Sequence, residues 1–189
     1  SSINTFGTDT VAAWGICGKL EFLIWTLMDA FGLSISTFAA QNYGAKKYDR
    51  VRKSVSVCIW MAMFITLTLC VPLYMFGEQL SKLFVDDENV IKISAQMIRL
   101  LAPFFATYIF GEVMSGAIRG SGEAFKPMIL TLIGTCGLRV LWILFAVPFN
   151  PTIEMVIASY PFTWIATSVM FIVYYARGRW LKIEAELSF

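Results

Sequence analysis

Gly116-Ala-Ile-Arg-Gly-Ser-Gly-Glu-Ala-Phe-Lys-Pro127 has the outline of a glycine-rich phosphate cradle with a lysine close by. Such a cradle sits between a strand and a helix N-terminus, so that backbone N–H groups converge on the anion. The spacing here is Gly-x-x-x-Gly-x-Gly without a Gly-Lys-Ser/Thr ending, and the flanking sequence decides the matter. Residues 95–118 before it and 127–148 after it are mostly apolar, each near the ~20 residues that a membrane-crossing helix needs. The stretch therefore reads as a turn between two membrane helices. Gly120 and Gly122 reverse the chain, Pro127 opens the next helix, and Arg119 and Lys126 hold the turn at the membrane surface.

Composition points the same way. Apolar residues make up 58% of the 189 positions and charged residues 15%, with a mean hydropathy of +0.69. A soluble domain carries ~25% charge, so this chain is suited to lipid, its natural partner. There is no histidine, which removes the imidazole as proton shuttle, metal ligand and triad base. Cys17, Cys58, Cys70 and Cys136 lie in apolar runs without CxxC spacing and read as small buried hydrophobes rather than as a metal or disulfide set. With no nucleophile elbow, no closely spaced carboxylate pair and no ligand cluster, no catalytic residue, metal site or cofactor is expected, and no nucleic-acid partner. The chain begins Ser-Ser-Ile, without an initiator Met or a basic leader, and reads as a fragment.

Five spans are expected, at about 11–40, 54–76, 95–118, 127–148 and 153–175, in an all-α integral membrane fold. Asn150 is the expected N-cap of the fifth, with Pro151 in its first turn. Pro103 and Pro161 lie inside the third and fifth, where neighbouring helices re-satisfy the freed carbonyls. Orientation follows from the basic residues of the short loops. Lys46, Lys47, Arg50, Arg52 and Lys53, then Arg119 and Lys126, then Arg177, Arg179 and Lys182 all fall on one side; only Lys82 and Lys92 fall on the other. This predicts a multi-pass protein of the cell membrane, starting outside and ending in a cytoplasmic tail at 176–189.

Ionisable residues at mid-bilayer cost ~2.5–3.5 kcal/mol on insertion scales and are functional candidates. Tyr108, Glu112, Ser115 and Arg119 recur at helical spacing on the third span, a polar stripe running toward the turn. Arg139 lies in the fourth span with Thr131 and Thr135 at i−8 and i−4, and Glu112 and Arg139 are expected to face each other across the hairpin. That pair reads either as part of a site or as an ion pair that fixes packing. Glu21, Trp25, Asp29, Gly32 and Ser36 form a second face on the first span, Asp29 being the deeper acid and Glu21 an interfacial one. Lys19 reads as a snorkelling anchor, Arg99 as a headgroup contact and Trp180 as part of the aromatic belt. The candidates for substrate or cation binding are Glu112, Asp29, Glu21, Tyr108, Arg139 and Trp25. Burial disfavours the charged form of a carboxylate, so one in a semi-dry cavity can exchange a proton near neutral pH.

Three stretches together resemble the multidrug and toxic compound extrusion (MATE) family of transporters. Thr37-Phe-Ala-Ala-Gln-Asn-Tyr-Gly-Ala-Lys-Lys-Tyr-Asp-Arg50 is similar to the family's Gln-Asn-x-Gly-Ala…Arg junction, carried by Gln41, Asn42 and Gly44. Gly116-Ala-Ile-Arg-Gly-Ser-Gly122 is similar to its Gly-x-x-Arg-Gly-x-Gly turn, carried by Gly116, Arg119, Gly120 and Gly122. The third is Gly137-Leu-Arg-Val140 with the ending Tyr174-Tyr-Ala-Arg-Gly-Arg-Trp180. The resemblance implies helices 8–12 of a twelve-helix, two-lobe antiporter, with a partner lobe of about seven helices still to be supplied. It also implies exchange of H⁺ or Na⁺ for small amphipathic or cationic compounds, and places Glu112 on the tenth family helix, where some members carry an acid of the cation site. The same superfamily leaves a lipid-linked oligosaccharide or lipid flippase open as the alternative. Five helices alone are not expected to transport. A membrane-embedded enzyme lacks its residues here, and a passive interaction module has no use for two polar stripes in the bilayer.

Overall fold

The computed structural model describes residues 7–181, and every regular element among them is helical. Of the expected tail, residues 182–189 lie outside the described residues. Among the described residues, five helical segments are long and apolar enough to cross a membrane: Thr8–Gly44, Tyr48–Met75, Glu88–Gly120, Phe125–Phe149 and Ile153–Ala176.

Helix α1 (Thr8–Gly44) and helix α2 (Tyr48–Met75) form a hairpin closed by a three-residue turn. The last carbonyls of α1 are used in it: Ala45 N–H donates to Gln41 O, Lys46 N–H to Tyr43 O and Lys47 N–H to Asn42 O. The left-handed residue of the turn is Lys46, at φ 57°, not Gly44, which ends α1. Helix α2 also carries Pro72 within its length, an internal proline beyond the two noted in the sequence.

The third span is longer than its apolar run. After the short helix α3 (Gly77–Ser81), Asp87 caps helix α4 (Glu88–Leu101) by accepting from Asn89 N–H at 2.8 Å and Val90 N–H at 3.2 Å. Val90, Ile91, Ala95 and Ile98 of α4 are buried while Glu88 and Lys92 pair in solvent at 3.6 Å. Its amphipathic first turns thus belong to the span although hydropathy alone drops them. Pro103 sits in a 3₁₀ turn (Ala102–Phe104) that joins α4 to helix α5 (Phe105–Gly120). Arg99 reaches Glu78 of α3 at 3.2 Å, a protein ion pair where a headgroup contact was expected.

The fourth span is not one regular helix. It consists of α6 (Phe125–Thr131), a π turn (Leu132–Gly137), α7 (Leu138–Leu141), a second π turn (Trp142–Ala146) and a 3₁₀ turn ending at Phe149. Helix α8 (Ile153–Ala176) is continuous through Pro161. Its N-cap is Thr152, whose hydroxyl accepts from Met155 N–H at 3.3 Å. The expected cap, Asn150, instead accepts the Thr152 N–H with its backbone carbonyl. Past α8, Trp180 is buried, stacked on Tyr175 at 4.9 Å, and its indole N–H donates to Tyr175 O.

The third span is the central post. Half of its most apolar stretch is buried in the protein, against 6% for the fourth span. Helix α5 packs on α1 along one face and on α8 along another, and α4 leans on α1. Burial of the cysteines follows: Cys17 and Cys70 are buried, whereas Cys136 lies exposed on the outer side of the fourth span, contrary to its sequence reading.

Candidate functional site

The α1–α5 crossing builds the site. In lipid, helices associate through close backbone approach, which small residues permit. Gly116 and Gly120 are four residues apart on α5, and each lies against an α1 carbonyl, Gly32 O and Ser36 O respectively, with no space for a Cβ. Gly32 returns the relation: a methyl group there would strike the Glu112 carboxylate. Gly120 is therefore a packing residue rather than a turn residue, and the left-handed position of the loop is Gly122, at φ 93°.

This approach sets Glu112 on the rim of α1. Its carboxylate takes a hydrogen bond from Tyr108 Oη at 3.4 Å and an ion pair from Arg119 at 3.2 Å. Arg119 also donates to Ser115 Oγ at 2.8 Å. Arg119 thus folds back along its helix instead of anchoring the turn, and Lys126 pairs with Glu123 at 2.8 Å. The Glu112 side chain is 16% exposed, opening onto a small cleft whose other walls are Thr131 and Thr135 of the fourth span and Thr167 and Ser168 of α8.

The expected Glu112–Arg139 pair does not form. Arg139 continues the Thr131–Thr135 face along α8, where Thr135 meets Thr167 at 3.4 Å and Arg139 donates to Thr163 Oγ1 at 3.0 Å. Four residues of helix place Arg139 about 6 Å beyond the level of Thr135. There its guanidinium lies over the Tyr160 ring, 3.9 Å from the centroid, a cation–π contact. Glu112 has the nearer cation on its own helix.

The α1 face divides. Glu21 is the buried acid, 8% exposed, with the Cys17 thiol at 4.0 Å, a hydrogen bond from the Trp25 side chain and no ion-pair partner among the described residues. Asp29 is exposed, whereas Glu21 is enclosed by the fold. Trp25 joins an aromatic cluster, edge-on to Tyr108 at 5.0 Å, to Trp164 at 5.4 Å and to Phe105 at 5.7 Å. Lys19 lies over the Phe84 ring at 5.5 Å. Of the junction residues, Asn42 is buried and donates to Phe38 O at 2.9 Å, while Gln41 and Gly44 are exposed and lie away from the cleft. Thr163, Thr167, Ser168, Tyr160 and Trp164 escaped the sequence reading. The four-residue step from Tyr160 to Trp164 and from Thr163 to Thr167 was the signal available for them.

The fold is that of a helical membrane protein with a carboxylate and a row of hydroxyls turned into its interior. The family model described as MatE matches residues 1–147. The chain belongs to the MatE family, whose members are transporters. It is 22% identical over 180 residues to the probable multidrug resistance protein YoeA of Bacillus subtilis, covering 87% of this chain and 39% of that protein. The probable multidrug resistance protein NorM of Thermotoga maritima is 27% identical over 129 residues, covering 67% of this chain and 27% of NorM. Among solved structures, an outward-facing multidrug resistance MATE family transporter of the MOP superfamily superposes with a TM-score of 0.86 at 19% identity, over 96% of this chain and 41% of that one. A MOP superfamily transporter from Pyrococcus furiosus gives a TM-score of 0.83 at 17% identity, over 92% and 38%. The chain thus spans well under half the length of these relatives.

Proposed function

We propose that the chain works as part of a secondary active exporter of drugs and other organic cations, driven by exchange with H⁺ or Na⁺. In this reading Glu112 is the carboxylate that binds and releases the coupling cation. The observation that carries it is the placement of Glu112: a membrane-embedded acid at a hydroxyl-lined cleft, held between Tyr108 and Arg119. A bound proton or Na⁺ would compete with Arg119 for the same oxygen, which gives the site two states. The names of the relatives support efflux as the direction of transport. The helices missing relative to those proteins would form the opposite wall of the substrate cavity, and rocking of the two halves would give alternating access. The basic turns would face the cytoplasm. A flippase for a pyrophosphate-linked lipid calls for several free cations in the cleft; Arg119 is engaged by Glu112, and Arg139 stands over Tyr160.

The test loads cells making the complete transporter with a fluorescent lipophilic cation, under an imposed pH or Na⁺ gradient. Wild type is expected to export on the gradient, and Glu112→Gln to lose at least tenfold of that rate at equal membrane abundance. Equal rates would make Glu112 a packing residue and end this reading.

A further inference from the structure

A groove with a volume of about 570 Å³ lies away from the Glu112 cleft, along the α1–α2 hairpin. Its α2 wall comprises Arg50, Lys53, Ser54, Val57, Cys58 and Met61, at intervals of three, one, three, one and three. That is a single helical face, and it is graded. The two cations stand at the end beside the 45–47 turn, and the side chains beyond them are small or apolar. The α1 wall runs antiparallel and contributes Phe31, Ile35 and Phe38 among others.

Arg99, Arg119 and Lys126 each hold a carboxylate within 3.2 Å, whereas Arg50 and Lys53 have no ion-pair partner among the described residues. Asp49 precedes Arg50 but does not line the groove. From Lys53 to Met61 the face extends about 12 Å, close to the hydrocarbon depth of one leaflet, about half of ~30 Å. A water-soluble anion would have no use for that apolar length, and a neutral lipid none for the paired charges.

We infer that this groove binds an anionic phospholipid of the leaflet that the basic turns face. The phosphate is held by Arg50 and Lys53, and one acyl chain lies between Phe38 and Val57.

Native mass spectrometry of the detergent-purified protein tests this with phosphatidylglycerol and phosphatidylcholine of the same acyl chains. The expected result is retention of phosphatidylglycerol over phosphatidylcholine by about tenfold or more, two basic residues at a membrane surface being sufficient for that. The double variant Arg50→Gln/Lys53→Gln abolishes the preference, whereas Lys46→Gln/Lys47→Gln, with the same charge change outside the groove, keeps it. Val57→Trp, which fills the apolar part and leaves both cations, lowers retention as well. Equal retention of the two lipids by wild type overturns the inference. So does equal loss in both double variants, which would mean diffuse attraction to the basic turn. Displacement of the lipid by glycerol phosphate at equal concentration would overturn it too, by showing an anion site without a lipid requirement.

Discussion

Glycines 116 and 120 have α1 backbone where a side chain would go, which makes them the most constrained residues of the α1–α5 crossing. A methyl at Gly116 would stand 2.8 Å from Ile35 Cγ2, and one at Gly120 would stand 2.9 Å from Ala39 Cβ. Main chain cannot swing aside as a flexible side chain can, so the helices must separate. Gly116→Ala and Gly120→Ala are each expected to lower stability by about 1–3 kcal/mol, the usual range for overpacking a tight contact. Gly15 and Gly18 of α1 have open space around them, and their alanine variants should be neutral or slightly stabilising, since alanine is the better helix former. Unfolding midpoints in detergent–SDS mixtures compare the four; equal effects would refute the packing argument. The Gly-x-x-x-Gly spacing was visible within the quoted turn, yet it served there as a signal of chain reversal. Spacing along one helix is legible from sequence. Which residue of another helix lies opposite is not, because it depends on the crossing. The same gap explains Glu112. The stripe from Tyr108 to Arg119 followed from a helical period, but Arg139 was matched to it without knowledge of the register between third and fourth spans.

At the scale of elements, the fourth span carries the most irregular backbone. Two π turns in 25 residues sit where the helix has protein on one side only, and π turns often mark functional positions in helices. Gly134 lies in the first of them and meets Thr167 of α8 so closely that a Cβ would collide with its hydroxyl. Gly134→Ala should therefore push the fourth span off α8 and break the 3.4 Å Thr135–Thr167 contact, costing about 1–3 kcal/mol. Thr167→Ala removes the nearest atom and should restore part of the loss. A double-mutant cycle is expected to give a coupling of about 0.5–3 kcal/mol, and additive effects would contradict the contact. Hydropathy could find this span but not its π turns, since one extra residue per turn leaves the apolar content unchanged. Caps were lost for a related reason. Asn150 and Thr152 are both good cap residues two positions apart, and the choice rests on backbone angles: Thr152 is extended, at φ −109° and ψ 157°.

For the whole molecule the orientation remains to be measured, and the charge pattern gives it a sign. Connectivity puts residues 45–53, the 121–124 turn and the end of α8 at one face of the fold, and residues 76–87 and 150–152 at the other. Ten basic residues of the sequence accompany the first face and two the second, and positive residues in short loops are retained in the cytoplasm. The structure bears on the weights. Arg119 is drawn into its helix by Glu112 and Lys126 is paired with Glu123, so the 45–53 segment, with five basic residues, is the strongest determinant. A green fluorescent protein fused within the 121–124 turn is therefore expected to fluoresce, and alkaline phosphatase there to be inactive. Fusions at Asp86 should show the reverse. Replacing Lys46, Lys47, Arg50, Arg52 and Lys53 together with glutamine should give both orientations, read as phosphatase activity appearing at the 121–124 fusion. If the wild-type pattern is inverted, the coupling gradient reaches Glu112 from the opposite side, and the proposed export becomes uptake for the same cycle. If the wild-type pattern holds but the five replacements change nothing, topology is set by helices outside this chain, and the basic segment is left free for the lipid role that Arg50 and Lys53 fit.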